Sequence, residues 1–273
     1  MQSPDSRSQR WRERRQFWRR PDDIFDPSRY SVDVAGEKAA KLFVETHHYS
    51  GSYPAARLPV GLFEGSDLVG VAVFSVPMGA AVIEKWTNFG MEGGVELGRF
   101  VLLDRVPANA ETWFLARAFD VLTREKAGLR AVVAFSDPLP RQAADGRIVM
   151  PGHVGGIYRA SNALFAGRTT ARKLWLDADG QVISERALVK LRRGERGAGY
   201  VYEKLRAADA PAIEPGEGGA AYVSRALLEG PFRHVRHPGN LGYLFAVGGP
   251  AQRRATRKIW EETVGEGAAA LAA

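Results

Sequence analysis

Residues 95–136 constrain this chain more than any other stretch. Residues 95–103 read as a strand, and 109–127 as a helix that opens on Asn109 with an acidic first turn. Its apolar face carries Trp113, Ala116, Phe119, Val121 and Leu122. Residues 131–135, AVVAF, are continuously apolar, as befits a strand covered on both faces. Strand, helix and strand in this order make a βαβ crossover, so the sheet has a parallel pair near its centre. Open α/β sheets bind ligands beyond the carboxyl ends of such strands, and Asp137 sits there.

The other segments fit around this unit. Residues 37–46 form a predicted helix that stops at His47-His48-Tyr49-Ser50-Gly51, and 57–64 with 67–76 form a hairpin about Gly65-Ser66. Residues 164–167 end a helix begun at 156, 172–177 and 241–247 read as strands, and 184–191 reads as a helix capped by Ser184. The expected organisation is a basic arm over 1–30, a catalytic domain over 31–206, an Ala/Pro/Gly/Glu-rich linker over 207–220 and a basic extension over 221–273 packing on the domain. Strict alternation along 95–103 turns Arg99 to the side of Val95, Leu97, Val101 and Leu103, with Glu96 opposite. A guanidinium on such a face needs a carboxylate or a ligand oxygen, and an ion pair to a neighbouring strand is the commoner solution.

Charge points to the partner. The 38 Lys and Arg against 31 Asp and Glu give +7 at pH 7, which suits a polyanion, although an acidic protein would fit equally. Arg7, Arg10, Arg12, Arg14, Arg15, Arg19 and Arg20 alternate with Trp11, Phe17 and Trp18. They make either an arm that pairs with phosphates and stacks on bases, or an amphipathic helix docked on the domain. Arg253 and Arg254 belong to a second basic cluster around the strand 241–247. If the partner is a nucleic acid, contacts to it are expected at Arg12, Arg14, Arg15, Arg19, Arg253 and Arg254. The absence of cysteine excludes disulfides, thiolate zinc sites and a cysteine nucleophile. With no long apolar run and no apolar stretch behind the first arginines, neither a membrane span nor a signal peptide is expected, and the expected location is cytoplasmic.

The stretch 152–162, GHVGGIYRASN, carries the chemistry. A glycine pair before a short amphipathic run reads as a helix N-terminus with backbone open to a ligand, and Tyr158 and Asn162, four residues apart, share a helix face. Asp137, His153 and Tyr158 would supply the carboxylate, imidazole and phenol of an acid–base site. The plainer alternative is a loop, with Asp137 capping a helix and Tyr158 in the core. His47 and His48 diverge as neighbours, so a ring in a pocket wall is favoured over chelation, and a role for a metal stays open.

Taken in order, His47-His48-Tyr49-Ser50, Glu96-Leu97-Gly98-Arg99-Phe100, Ser136-Asp137-Pro138 and Gly152 to Asn162 resemble the Mom family of phage DNA-modification proteins, over roughly residues 36–192. That family is related to the GNAT acyltransferases. The resemblance implies an α/β fold with a mixed, mostly antiparallel, V-splayed sheet, a central crossover and helices on both faces. It also implies conversion of adenine in DNA to a carbamoylmethyl-amine that shields the genome from restriction. By the same resemblance His48, Tyr49, Asp137 and Tyr158 are the expected catalytic residues, and Arg99, Thr112, Ser136, His153 and Asn162 the expected substrate-binding ones, Thr112 standing where the family has serine. The partners implied are DNA and a small-molecule donor. Acetyl-coenzyme A or another small donor is possible, but residues 104–111 lack the glycines of the usual GNAT pyrophosphate loop. Two other functions compete: an N-acyltransferase for a small amine, a protein or tRNA, and a non-catalytic nucleic-acid binder.

Overall fold

The computed structural model describes residues 7–12, 15–18, 24–77, 79–107, 109–150 and 152–271, with side chains from 24 to 262 apart from Ala80. In chain order the elements begin with β1 (Arg7–Arg12), β2 (Arg15–Trp18), β3 (Tyr30–Val34), α1 (Glu37–His47), β4 (Ala56–Glu64) and β5 (Asp67–Ser75). Next come α2 (Ala80–Thr87), β6 (Gly94–Leu102), α3 (Ala110–Glu125), β7 (Ala131–Ser136), β8 (Arg141–Gln142), β9 (Ile148–Met150) and α4 (Gly156–Ala160). Then follow β10 (Leu164–Arg168), β11 (Arg172–Leu176), β12 (Val182–Ile183), α5 (Glu185–Arg192), α6 (Gly199–Ala207) and α7 (Gly219–Glu229). The last are β13 (Arg233–His237), β14 (Leu241–Ala246) and α8 (Pro250–Leu271). Two compact units interleave along the sequence: one takes residues 1–137, 154–168 and 240–273, the other 138–153 and 169–239.

The first unit holds a seven-stranded sheet in the order β10-β14-β7-β6-β5-β4-β3. Every neighbouring pair in it is antiparallel except β6 and β7, the parallel pair joined by the α3 crossover. On one face α1 buries Ala40, Phe43 and Val44 against Val71 and Val73 of β5. On the other, α3 buries Phe114, Leu115, Ala118 and Leu122 in a core with Val60, Leu62, Ala72 and Phe74. Each fully buried side chain of this size contributes about 1.5–3 kcal/mol. The unbroken apolar run of β7 has the expected cause: Val132 and Ala134 belong to the α3 core, while Ala131 and Val133 pack with Ile83 of α2 and Trp260 of α8. This is the α/β architecture expected from the sequence, mixed and mostly antiparallel, with helices on both faces.

Several local expectations need correction. The helix begun at Gly156 is one short turn ending at Ala160, and residues 164–168 are the edge strand β10, which pairs with β14. Asn162 has a left-handed backbone (φ 60°) beyond that helix, so it shares no face with Tyr158. The basic cluster at 253–258 lies on α8, which starts at Pro250, a residue favoured in the first turn of a helix. Residues 7–12 and 15–18 pair as an antiparallel hairpin, not as an amphipathic helix.

The second unit combines the hairpin β8-β9, a three-stranded sheet in the order β12-β11-β13, and the helices α5, α6 and α7. Leu188, Leu191, Val201, Leu205, Tyr222 and Val223 form its core. Residues 207–220 connect α6 to α7 of this core; Ala210 is buried, and the Pro211 carbonyl accepts a hydrogen bond from Tyr222 Oη at 3.2 Å. Among the described residues no helix is long and apolar enough to cross a membrane.

Candidate active site

The site begins where the parallel strands part. The β6–β7 register runs from Gly94–Ala131 to Leu97–Ala134 and stops, while β6 continues along β5 to Leu102 and β7 continues along β14 to Ser136. At the same point the β5–β6 ladder slips: Val73 faces Arg99 and Phe74 faces Leu97, so Gly98 is the extra residue of a β-bulge. A side chain would be crowded there, because a Cβ on Gly98 would lie 2.3 Å from Ser75 Oγ and 3.3 Å from Pro54 Cγ. The bulge inverts the alternation. Val95 and Leu97 point into the α3-side core before it, and Phe100 and Leu102 do so after it. Glu96 and Arg99 are left together on the other side. The expectation from strict alternation, with Arg99 beside Val95 and Leu97 and Glu96 opposite, is corrected by this single residue.

Arg99 is held by neutral acceptors. Its Nε donates to the Ser52 carbonyl at 2.9 Å, Nη2 to Ser52 Oγ at 2.9 Å and Nη1 to the Gly98 carbonyl at 2.6 Å. The ion pair to a neighbouring strand, the commoner solution, does not occur among the described residues. A guanidinium carries five N–H groups, so two remain for a ligand. Burial lowers the Arg99 pKa, opposed by Tyr49, Glu96 and Tyr158. Burial pushes the Glu96 carboxyl up, with Arg99 opposing. Burial also pushes the Tyr158 phenol far above its usual range, with smaller upward pushes from Tyr49 and Glu96 that Arg99 opposes. These influences put Tyr49, Glu96, Arg99 and Tyr158 within electrostatic reach of one another.

The loop after α1 supplies Tyr49. The His48 and Tyr49 rings lie 4.2 Å apart at 32°. The Ser50 backbone N–H donates to His48 Nδ1 at 3.1 Å, and Ser50 Oγ lies 2.8 Å from the same nitrogen. With Nδ1 accepting, the neutral ring carries its proton on Nε2. Tyr158, on α4, is buried against Tyr243 (5.4 Å between centroids) and Phe245 (6.0 Å) of β14. The glycine preceding α4 serves this packing. Gly155 has φ 68°, and a Cβ there would lie 2.5 Å from the Tyr243 ring, whose hydroxyl donates to the Val154 carbonyl at 2.5 Å. The backbone at Gly155 is therefore closed by the protein's own tyrosine, so the expectation of a backbone open to a ligand fails at this glycine.

The remaining expected residues are placed less centrally. Ser136 is fully buried at the end of β7, and its hydroxyl has no hydrogen-bond partner among the described residues. Asp137 follows directly, half-buried. His153, half-buried, belongs to the second unit. The Thr112 hydroxyl donates to the Asn109 carbonyl at 3.1 Å in the first turn of α3, and Asn162 is exposed. Arg253 and Arg254 are exposed on α8. Arg14 and Arg19 lie outside the described residues, as do the side chains of Arg12 and Arg15. Sequence reasoning missed Glu96 and Ser52 as site residues, and the available signal was Gly98, since glycine inside a strand marks a bulge. No group of three or more His, Cys, Asp or Glu among the described residues is placed to hold a metal. The segment before α3 does not fit a pyrophosphate cradle: the Val106 N–H donates to the Leu103 carbonyl, Pro107 has no N–H, and Arg105 is paired with Glu64.

Known proteins give this geometry a family. The chain is 28% identical over 174 residues to the methylcarbamoylase mom of Escherichia phage Mu, a match covering 62% of this chain and 66% of that protein. The chain thus spans just under two thirds of the length of this curated relative. Among solved structures it is similar to a tandem GNAT protein from the clavulanic acid biosynthesis pathway, with 11% identity, 82% of this chain and 86% of that chain covered, and a TM-score of 0.37. It is also similar to a Bacillus subtilis acetyltransferase in complex with CoA, with 9% identity, 81% and 99% covered, and a TM-score of 0.30. The profile of the Mom protein family matches residues 29–215, a span that includes Tyr49, Glu96, Arg99 and Tyr158; the chain belongs to the Mom protein family.

Proposed function

We propose that this protein is a transferase that modifies adenine in DNA at the exocyclic N6, leaving a carbamoylmethyl-type group that protects phage or mobile-element DNA from restriction inside a bacterial host. The observation that carries the reading is the juxtaposition of Glu96, Arg99 and Tyr158 where β6 and β7 part. Family membership and the name of the phage Mu relative support it.

The N6 lone pair is delocalised into the purine ring, so a base must take a proton as the new bond forms. Glu96 suits this role, since a carboxylate whose pKa is raised by burial is a stronger base. Asp137, at the end of the adjacent parallel strand, is the second carboxylate of the proposal. Tyr158 stays protonated and donates a hydrogen bond from its phenol. Arg99 offers its two remaining N–H groups to an anionic oxygen of the donor or to a phosphate beside the target. An adenine reached this way must be flipped out or single-stranded, and the His48–Tyr49 ring pair is a surface on which it can stack. The donor is a small molecule, bound otherwise than through a GNAT pyrophosphate loop.

Mass spectrometry of nucleosides from DNA of cells expressing the protein tests this. The expected result is a deoxyadenosine of increased mass in wild type that is lost in Glu96→Gln. Unmodified DNA in cells holding folded wild-type protein overturns it, and an acylated small amine, protein or tRNA in the same cells would establish the acyltransferase instead.

A further inference from the structure

The second unit carries an anomaly on its small sheet. In the β11–β13 ladder Lys173 stands directly opposite Arg236, and Trp175 directly opposite His234. With two-residue alternation these four side chains share one face. Like charges directly opposed destabilise a ladder, so such a pair needs an anion or a reason. Among the described residues neither cation has a carboxylate partner. Several of the unit's acids are ion-paired elsewhere: Glu185 to Arg192, Glu195 to Arg186, Glu217 and Glu229 to Arg225, and Asp179 to Arg147. Lys173, His234 and Arg236 are exposed, and the half-buried Trp175 is anchored on the helical core with its ring 5.5 Å from His234.

From this arrangement we infer that the Lys173–Arg236 face is a binding surface for the phosphate backbone of duplex DNA, remote in sequence from the basic arm and from α8. The inference rests on the DNA-modifying reading above and adds a surface that reading does not use. Two cations on adjacent strands are spaced by the sheet, not by flexible loops, and fit consecutive phosphates of a polyanion better than a single carboxylate. At the end where the helices cover Trp175, the exposed His234 ring borders the same face. Phosphate contacts position the substrate and read no sequence.

The test is fluorescence anisotropy of the full chain with a labelled duplex of arbitrary sequence, across a series of salt concentrations. In Lys173→Gln/Arg236→Gln the slope of log affinity against log salt is expected to be shallower by about 2, one unit for each phosphate that is no longer neutralised. Lys173→Arg, which keeps the charge, should retain the wild-type slope. Circular dichroism of the double variant should be unchanged, since both side chains are exposed. An unchanged slope in a folded double variant overturns the inference, as does a wild-type chain that fails to bind duplex or binds single-stranded RNA alone. Failure of the enzymatic reading appears separately, as absence of modified deoxyadenosine from a chain that binds duplex with the expected slope.

Discussion

Glu96 and Arg99 lie on one side of β6 although three positions separate them, because Gly98 adds a residue to their strand without adding one to β5. In an unbroken strand the carboxylate and the guanidinium would face opposite sides of the sheet. The pairing on which the proposed chemistry rests is thus a property of a glycine that bears no functional group.

Gly98→Ala is expected to damage stability and activity together. The added Cβ would meet Ser75 Oγ at 2.3 Å, and overpacking of this kind costs about 1–3 kcal/mol. Thermal unfolding should shift down and DNA modification should fall as Arg99 is displaced. Adding Ser75→Gly removes the obstructing side chain and should recover part of both, whereas a double variant no better than the single one would place the defect elsewhere.

Glu96→Gln should abolish modification and stabilise the fold. General-base removal costs on the order of 10²–10⁴-fold in rate. A carboxyl whose folded-state pKa is raised contributes stability that is full below its unfolded pKa and lost as pH rises through the folded value. At neutral pH ionised Glu96 is therefore a cost, and the variant should melt higher than wild type at about pH 8, with the difference closing near pH 4 where wild type is protonated as well. Equal melting temperatures at both pH values would show that Glu96 is solvated.

Arg99→Lys keeps a charge but cannot reproduce the three-point hold on Ser52 and Gly98. It should remain folded and lose most of its modification activity. Full activity would reduce Arg99 to a bystander, and unfolding would make it a structural strut.

Asp137→Asn and Tyr158→Phe are near-isosteric, and the Phe ring keeps its place against Tyr243 and Phe245. Both should leave unfolding temperatures within a few degrees of wild type, about 1 kcal/mol, and lower modification at least tenfold. Wild-type nucleoside profiles in either variant would remove that residue from the mechanism.

Deleting residues 1–20 removes seven arginines, Arg7, Arg10, Arg12, Arg14, Arg15, Arg19 and Arg20. The salt dependence of duplex binding should flatten by several units, on the rule of about 0.9 per neutralised phosphate. An unchanged slope would assign the arm another role.

The sheet was legible because its signals are local. The apolar run of β7, the Gly65-Ser66 hairpin and the amphipathic faces of α1 and α3 each follow from a few adjacent residues. The site was only partly legible. Tyr49, Arg99 and Tyr158, which the proposed site uses, were singled out through motifs, but Arg99 was assigned to the face of Val95 and Leu97, away from Glu96, because alternation assumes an unbroken ladder, and a bulge depends on the partner strand as much as on its own. For the same reason Gly155 was read as an opening for a ligand: the tyrosine that fills it comes from β14, remote in sequence. The strand β10 was read as the tail of a helix because its residues make sense only beside β14.

The place of β14 bears on how the chain is made. Leu241 pairs with Ser136 on one side and with Arg168 on the other, so the strand that joins β7 to β10 is the last of this sheet to be synthesised. Until it leaves the ribosome, the outer edge of β7 stands unpaired beside a buried apolar run, and Tyr158 lacks the rings it rests on. Pairing over so long a loop forms slowly, and in the interval the nascent chain exposes an edge to its neighbours. Assembly of the proposed site is thus deferred until β14 has been made, and a chain that stops before residue 241 is a candidate for aggregation.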